Sequence, residues 1–197
     1  MKYLIIYTLV LLQVTITKAQ ITHAEEVTTK INWVTLAEAE AHCKDSANTK
    51  KIYVFFQTDW CVFCRHMERT TFRDDELAAY MNKNFWSVRF NTELSDTVKF
   101  NGKAYTLTRH RGWNCNGFAA EYLDEKLSFP ANLIIDEHLN KMAALGGAQS
   151  AYQLMTLMTY FHEGHYKTTD LETYGNSYKL PSWNGAGGGR SGTVRRR

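Results

Sequence analysis

The stretch that most constrains this chain is I-Y-V-F-F-Q-T-D-W-C-V-F-C, residues 52–64. Ile52 to Gln57 is short, continuous and rich in β-branched and aromatic side chains, the pattern of a strand buried on both faces. Two cysteines three positions apart, Cys61 and Cys64, follow at once. A helix that begins near Cys61 sets Cys64 one turn further along on the same side, so the two sulfurs can close a small ring. A segment of this kind needs a sheet to hold the strand and a helix packed against it, which already points to an α/β architecture.

The two thiols differ. Unpaired N–H groups and the dipole at a helix N-terminus favour a thiolate at Cys61, and the thiolate is the attacking species. Cys64, a turn inside, is the natural resolving thiol. Two other readings stand beside this one. The first is a static structural disulfide. The second is a metal site: Cys61, Cys64 and His66 offer three ligands, but a closed zinc site takes four and no second C-x-x-C or H-x-H completes the set.

The chain opens M-K-Y-L-I-I-Y-T-L-V-L-L-Q-V-T-I-T-K-A-Q. One basic residue, an apolar run from Tyr3 to about Ile16, then small residues at Thr17 and Ala19 read as a signal peptide over 1–19. Its apolar core falls short of the ~20 residues a membrane span needs. The mature chain is therefore expected to be exported, periplasmic or secreted, with no stable membrane insertion. About 178 residues remain, enough for one domain and an insertion. Lys and Arg number 23 against 20 Asp and Glu. Lys2 and Lys18 lie in the leader and Arg190, Arg195, Arg196 and Arg197 in the tail, so no basic field marks a nucleic-acid partner. The Gly- and Arg-rich tail, 184–197, cannot bury enough apolar surface to order itself. Cys43 and Cys115 are isolated in sequence. In an oxidising compartment all four thiols are open to bridging.

Along the chain, Thr35-Leu36-Ala37-Glu38 is a capping box opening a helix at about 36–48. A helix is expected from Cys61 to about Thr71, and Asp74 caps another. Residues 86–91 form a strand. Asn101-Gly102 between alternating runs marks a hairpin. Residues 118–127 read as a helix, 131–136 and 141–145 as paired strands, and 148–162 as a helix closed by Gly164. Thr169-x-x-Glu172 reads as the cap of a last short helix. Early crossovers and a late hairpin imply a mixed central sheet with helices on both sides.

Trp60-Cys61-x-x-Cys64 after a strand, Phe129-Pro130 ahead of a strand and hairpin, and this element order over about 30–163 resemble the thioredoxin superfamily. The T-D-W-C segment and F-P-A-N-L-I-I-D are similar to exported bacterial members related to the soluble domain of thiol:disulfide interchange proteins. The resemblance implies a thioredoxin fold in a domain over 20–180, with a hairpin-containing insertion at about 94–115 before the cis-Pro strand. It implies Cys61 as nucleophile, Cys64 as resolving thiol, and Trp60, Phe129 and Pro130 as the surface that meets substrate, with Pro130 in cis. Residues 94–115, including R-H-R-G-W-N-C-N, are then the expected specificity element. Cys43 and Cys115 form a candidate second disulfide, since their helices share one sheet face in this fold. Cys115 also reads as a third redox thiol or an idle one.

The chain departs from thioredoxin in carrying Val62-Phe63 between the cysteines and Phe55 where thioredoxin buries an Asp. Glu93 and Arg89 are candidates for the proton handling that Asp supports. The expected activity is thiol–disulfide oxidoreduction on protein cysteines, with no cofactor and with electrons exchanged with a partner protein. The alternative is a non-catalytic module binding a metal or a client protein. A thiol peroxidase lacks support beyond Thr58.

Overall fold

The structure is a computed structural model and describes residues 30–178 apart from 46–48, 95 and 111. The expected leader and the Gly- and Arg-rich tail lie outside the described residues.

The described chain begins with β1 (Trp33–Val34), α1 (Leu36–Lys44) and β2 (Lys51–Gln57), then α2 (Val62–Arg69), a 3-10 turn at Thr71–Arg73 and α3 (Asp75–Asn84). It continues with β3 (Phe85–Asn91), the hairpin strands β4 (Val98–Phe100) and β5 (Lys103–Tyr105), and a second pair, β6 (Leu107–His110) and β7 (Trp113–Asn116). Next come α4 (Gly117–Tyr122), β8 (Ala131–Ile135), β9 (Lys141–Gly146), α5 (Ala151–His162) and α6 (Leu171–Ser177).

The central sheet runs β1-β3-β2-β8-β9. β1 and β2 lie parallel to β3, while β8 is antiparallel to β2 and β9 to β8. The sheet is therefore mixed, as the crossovers and late hairpin imply. β2 sits in its middle, and Ile52 to Phe56 have no exposure at all. Alternation along β2 splits the interior in two. Tyr53 and Phe55 face Met67 of α2, Leu77 of α3 and Leu154 of α5. Ile52, Val54 and Phe56 face Leu36 of α1, Phe118 of α4 and Phe100 and Tyr105 of the first hairpin.

Local signals set most boundaries. Thr35 and Glu38 form the expected reciprocal capping box on α1. Asp74 accepts from Leu77 N at 2.9 Å to start α3. Asn101 and Gly102 take positive φ, 48° and 76°, as a two-residue hairpin turn requires. Several boundaries differ from expectation, four of them for a visible local reason or by several residues. α1 ends at Lys44. α5 starts at Ala151, because Ser150 and Gln153 form a second capping box there. Asp170, not Thr169, caps α6 by accepting from Thr173 N. α4 stops at Tyr122, because Asp124 and Glu125 adopt φ of 51° and 60°, and Asp124 is drawn to Lys141 at 2.6 Å.

Candidate redox-active site

The centre of β2 is anchored by Tyr53, whose hydroxyl donates to Asn132 Oδ1 across to β8 at 2.7 Å. At the C-terminal end of β2 the chain turns through Thr58, Asp59 and Trp60 into α2. Cys61 is the residue that caps α2, and its Sγ accepts from Cys64 N at 3.0 Å. Cys61 and Cys64 are joined as a disulfide with Cα atoms 5.2 Å apart. The helix-start geometry inferred from spacing is the one observed. Cys61 keeps 3 % exposure and Cys64 none, so the residue nearer the helix start is also the one that keeps contact with solvent.

The turn before the pair is held tightly. Glu93 accepts from Trp60 Nε1 at 3.0 Å and from Asp59 N at 3.1 Å. Asn91 donates to Asp59 Oδ1 at 2.8 Å, and Arg65 donates to the Asp59 carbonyl at 2.7 Å. Glu93, a proton-handling candidate in the sequence, is thus engaged in fixing Trp60. Arg89, the other candidate, is paired with Glu68 at 3.0 Å. Phe55 stands behind the cysteines in the same core, fully buried.

Around the pair the surface is apolar. Val62 and Phe63 project from α2 with 65 % and 66 % exposure, and Trp60 is 51 % exposed. Single exposed apolar residues are ordinary, but a cluster of them marks an interaction surface. Trp60 also touches Phe129, with ring centroids 6.4 Å apart in an edge contact. The Phe129-Pro130 peptide is cis, and Pro130 O accepts from Gly147 N at 2.7 Å. The five residues of the expected site therefore lie together, Cys61, Cys64, Trp60 and Phe129 in direct sequence or ring contact and Pro130 beside Phe129. One member escaped individual notice in the sequence: Trp113, whose ring centroid lies 5.4 Å from that of Trp60. Its only sequence signal was membership of the R-H-R-G-W-N-C-N stretch.

Cys43 and Cys115 are both free and buried. Both belong to the core on the α1 side of the sheet, but they sit at opposite ends of it. Cys43 Sγ donates to Lys50 O, just before β2 begins. Cys115 lies beside Thr92, whose N–H bonds to Gln57 O where β2 ends. Seven residues of strand separate these places, roughly 20 Å at the rise of a strand, whereas a bridge needs Cα atoms within about 7 Å. The two thiols stand unbridged for that reason. Burial pushes each of them up to about 11.

His66 is exposed on α2. Among the described residues no cluster of three or more His, Cys, Asp or Glu is placed to hold a metal ion. Nor is any described helix long and apolar enough to cross a membrane.

The sequence pattern of the thioredoxin-like domain matches residues 40–162. No curated protein sequence matches the chain. Among solved structures it is similar to a thioredoxin-fold protein from Helicobacter pylori, with 18 % identity, a TM-score of 0.53, and coverage of 66 % of this chain and 84 % of that one. It is also similar to the DsbH oxidoreductase, with 18 % identity, a TM-score of 0.50, and coverage of 74 % and 94 %. At these identities the likeness is one of fold. The domain pattern spans more than half the chain and meets a mixed sheet with a C-x-x-C pair at the start of the helix that follows its central strand, so this chain belongs to the thioredoxin-like domain family.

Proposed function

We propose that this protein is a thiol–disulfide oxidoreductase acting on cysteines of other proteins. The observation that carries the reading is the Cys61–Cys64 disulfide at the start of α2, inside an exposed apolar rim. In the reducing direction, the Cys61 thiolate attacks a substrate disulfide. One substrate sulfur leaves and takes a proton, and Cys61 holds the other in a mixed disulfide. The Cys64 thiolate then attacks Cys61 Sγ and releases the second substrate sulfur. Two electrons have passed to the substrate, and the Cys61–Cys64 bond has formed. The same steps in reverse oxidise a substrate dithiol.

Trp60, Phe129 and Pro130 are proposed as the surface that meets the substrate chain. Among the described residues no hydrogen bond involves the Phe129 main chain, which leaves its N–H and C=O able to pair with a bound polypeptide. The reading needs no cofactor and takes a redox partner protein as electron source or sink. It places the protein outside the cytoplasmic membrane after removal of residues 1–19, with one domain over 20–180 and an insertion at about 94–115.

The test is a redox titration of the mature protein in glutathione buffers, with thiols trapped by alkylation and counted by mass. A midpoint near about −270 mV marks a thioredoxin-like reductant and one near about −120 mV an oxidant of folding proteins. A Cys61–Cys64 pair that stays oxidised or stays reduced throughout this range sinks the proposal.

A further inference from the structure

The β6–β7 hairpin is a separate two-stranded sheet that contributes no strand to the central one. The body holds it at its base. Asn116 N bonds to Thr92 O at 2.7 Å, Gly117 N to Thr106 O at 2.9 Å, and Cys115 is buried beneath it. Strand alternation puts Trp113 on the same face of β7 as Cys115. Cys115 fills the core, but Trp113, two residues nearer the turn, overhangs the edge of the body. There it meets Trp60 and remains 60 % exposed. Opposite it in register, His110 Nε2 lies 3.8 Å from Glu125, beyond hydrogen-bond distance, which brings the hairpin's outer end alongside the segment leading to Phe129.

Between the hairpin and that segment is a cleft of about 290 Å³ lined by Trp113, Glu125, Lys126, Leu127 and Ser128. Its size is at the small end for ligand clefts and suits one side chain, not a large ligand. Its position is continuous with the redox site: one wall packs on the neighbour of Cys61, and the other runs into Phe129. Glu125 and Lys126 carry opposite charges, so the cleft has no net field to select a charged group. What distinguishes it is the large apolar surface of Trp113 and Leu127.

Resting on the oxidoreductase reading, we infer that Trp113 is a specificity-determining residue, and that the cleft beside it takes a large apolar side chain flanking the substrate cysteine. The substrate class is then an extended or partly unfolded polypeptide in which a core residue next to the cysteine is still exposed. A folded partner that presents its cysteine among polar residues leaves the cleft empty.

Two synthetic peptides, each joined to glutathione as a mixed disulfide and differing only in a Phe or a Ser beside the cysteine, separate the outcomes. Reduced protein supplies both electrons in a single turnover and ends as the Cys61–Cys64 disulfide, releasing peptide thiol and glutathione. The wild-type protein should react with the Phe peptide about tenfold faster, the discrimination one buried apolar contact supports. In Trp113→Ala that ratio should fall to about two or less, and Trp113→Phe should restore most of it, which separates loss of contact from damage to the fold. Equal rates for the two peptides with wild type, or a ratio that survives Trp113→Ala, overturns the assignment. If the reduced protein reduces neither peptide and its disulfide form oxidises neither free peptide thiol in the presence of glutathione, the oxidoreductase reading falls and takes this one with it.

Discussion

The four cysteines form two pairs that a sequence count does not distinguish. Cys61 and Cys64 lie at the mouth of the fold, at a helix start, under a rim of exposed aromatic and aliphatic side chains. Cys43 and Cys115 lie on the opposite face of the same sheet, one at each end of β2, free and with thiols pushed up to about 11. Both pairs are almost fully buried, so exposure alone does not separate them. The separation comes from what surrounds the sulfur. A helix N-terminus supplies N–H groups that favour the thiolate, whereas Cys43 and Cys115 are embedded in apolar surroundings, and Cys43 also has Glu137, Asp136 and Glu40 nearby, which disfavour it.

The strongest attempt to break this contrast is substitution. Cys61→Ser is expected to lower disulfide-reducing turnover by at least ~10³-fold, as loss of a nucleophile does, and Cys64→Ser should accumulate a mixed disulfide visible by mass. Cys43→Ala and Cys115→Ala should retain turnover within about twofold of wild type, because neither thiol is part of the exchange. Comparable losses from either pair would erase the distinction.

Reactivity gives the next largest effect. At pH 8 a thiol with a pKa of about 11 is thiolate roughly one part in a thousand. In the reduced native protein Cys61 should therefore alkylate at least ~100 times faster than Cys43 or Cys115, with time-resolved mass mapping as the readout. All four should react alike once the chain is unfolded.

The buried thiols also make stability depend on pH. Their folded pKa values are raised above the ordinary 9.0, so the stabilisation is complete below the unfolded value and is lost as pH rises from about 9 toward 11. Up to pH 10 each thiol should contribute on the order of 1 kcal/mol to that loss. Urea midpoints from pH 7 to 10 for wild type and for the Cys43→Ala, Cys115→Ala double variant measure it. An equal decline in both shows that the buried tyrosines, Tyr53 among them, carry the effect instead.

The smallest effect concerns the rim. Glu93→Ala removes the acceptor for Trp60 Nε1 and Asp59 N, at about 1–2 kcal/mol of stability. Trp60 emission should shift on substitution and turnover should fall only severalfold. A loss as deep as that of Cys61→Ser makes Glu93 part of the chemistry itself.

Much of this arrangement is legible in the residues. An apolar run ending in Trp-Cys-x-x-Cys is a strong local statement, and Asn101-Gly102, Thr35 and Asp74 act through their own backbone neighbours. What the residues conceal is long-range. Leu123 to Leu127 contains good helix formers, yet α4 has already ended, because the chain turns there with positive φ at Asp124 and Glu125, and context overrides propensity. The second hairpin is not legible because it has no Asn-Gly turn and its strands pair only with each other. Trp113 looked like one aromatic among many until the hairpin carried it to Trp60. The candidate bridge between Cys43 and Cys115 rested on a shared sheet face, and a shared face says nothing about position along it.

Phe55 has one further consequence. Among the described residues the only buried carboxylate is Glu40, across the sheet on α1 and paired with Lys44. Behind the cysteine pair stands an aromatic ring that can neither give nor take a proton. In the proposed reaction, the proton leaving Cys64 as the pair closes finds no buried carboxylate in that core and exits by the mouth through which the substrate came. The departing substrate thiolate is the base closest at hand. The proposed reaction is then self-timed: the second step gains its base only once the first has expelled one, and commitment to release is set by the acidity of the substrate's own thiol.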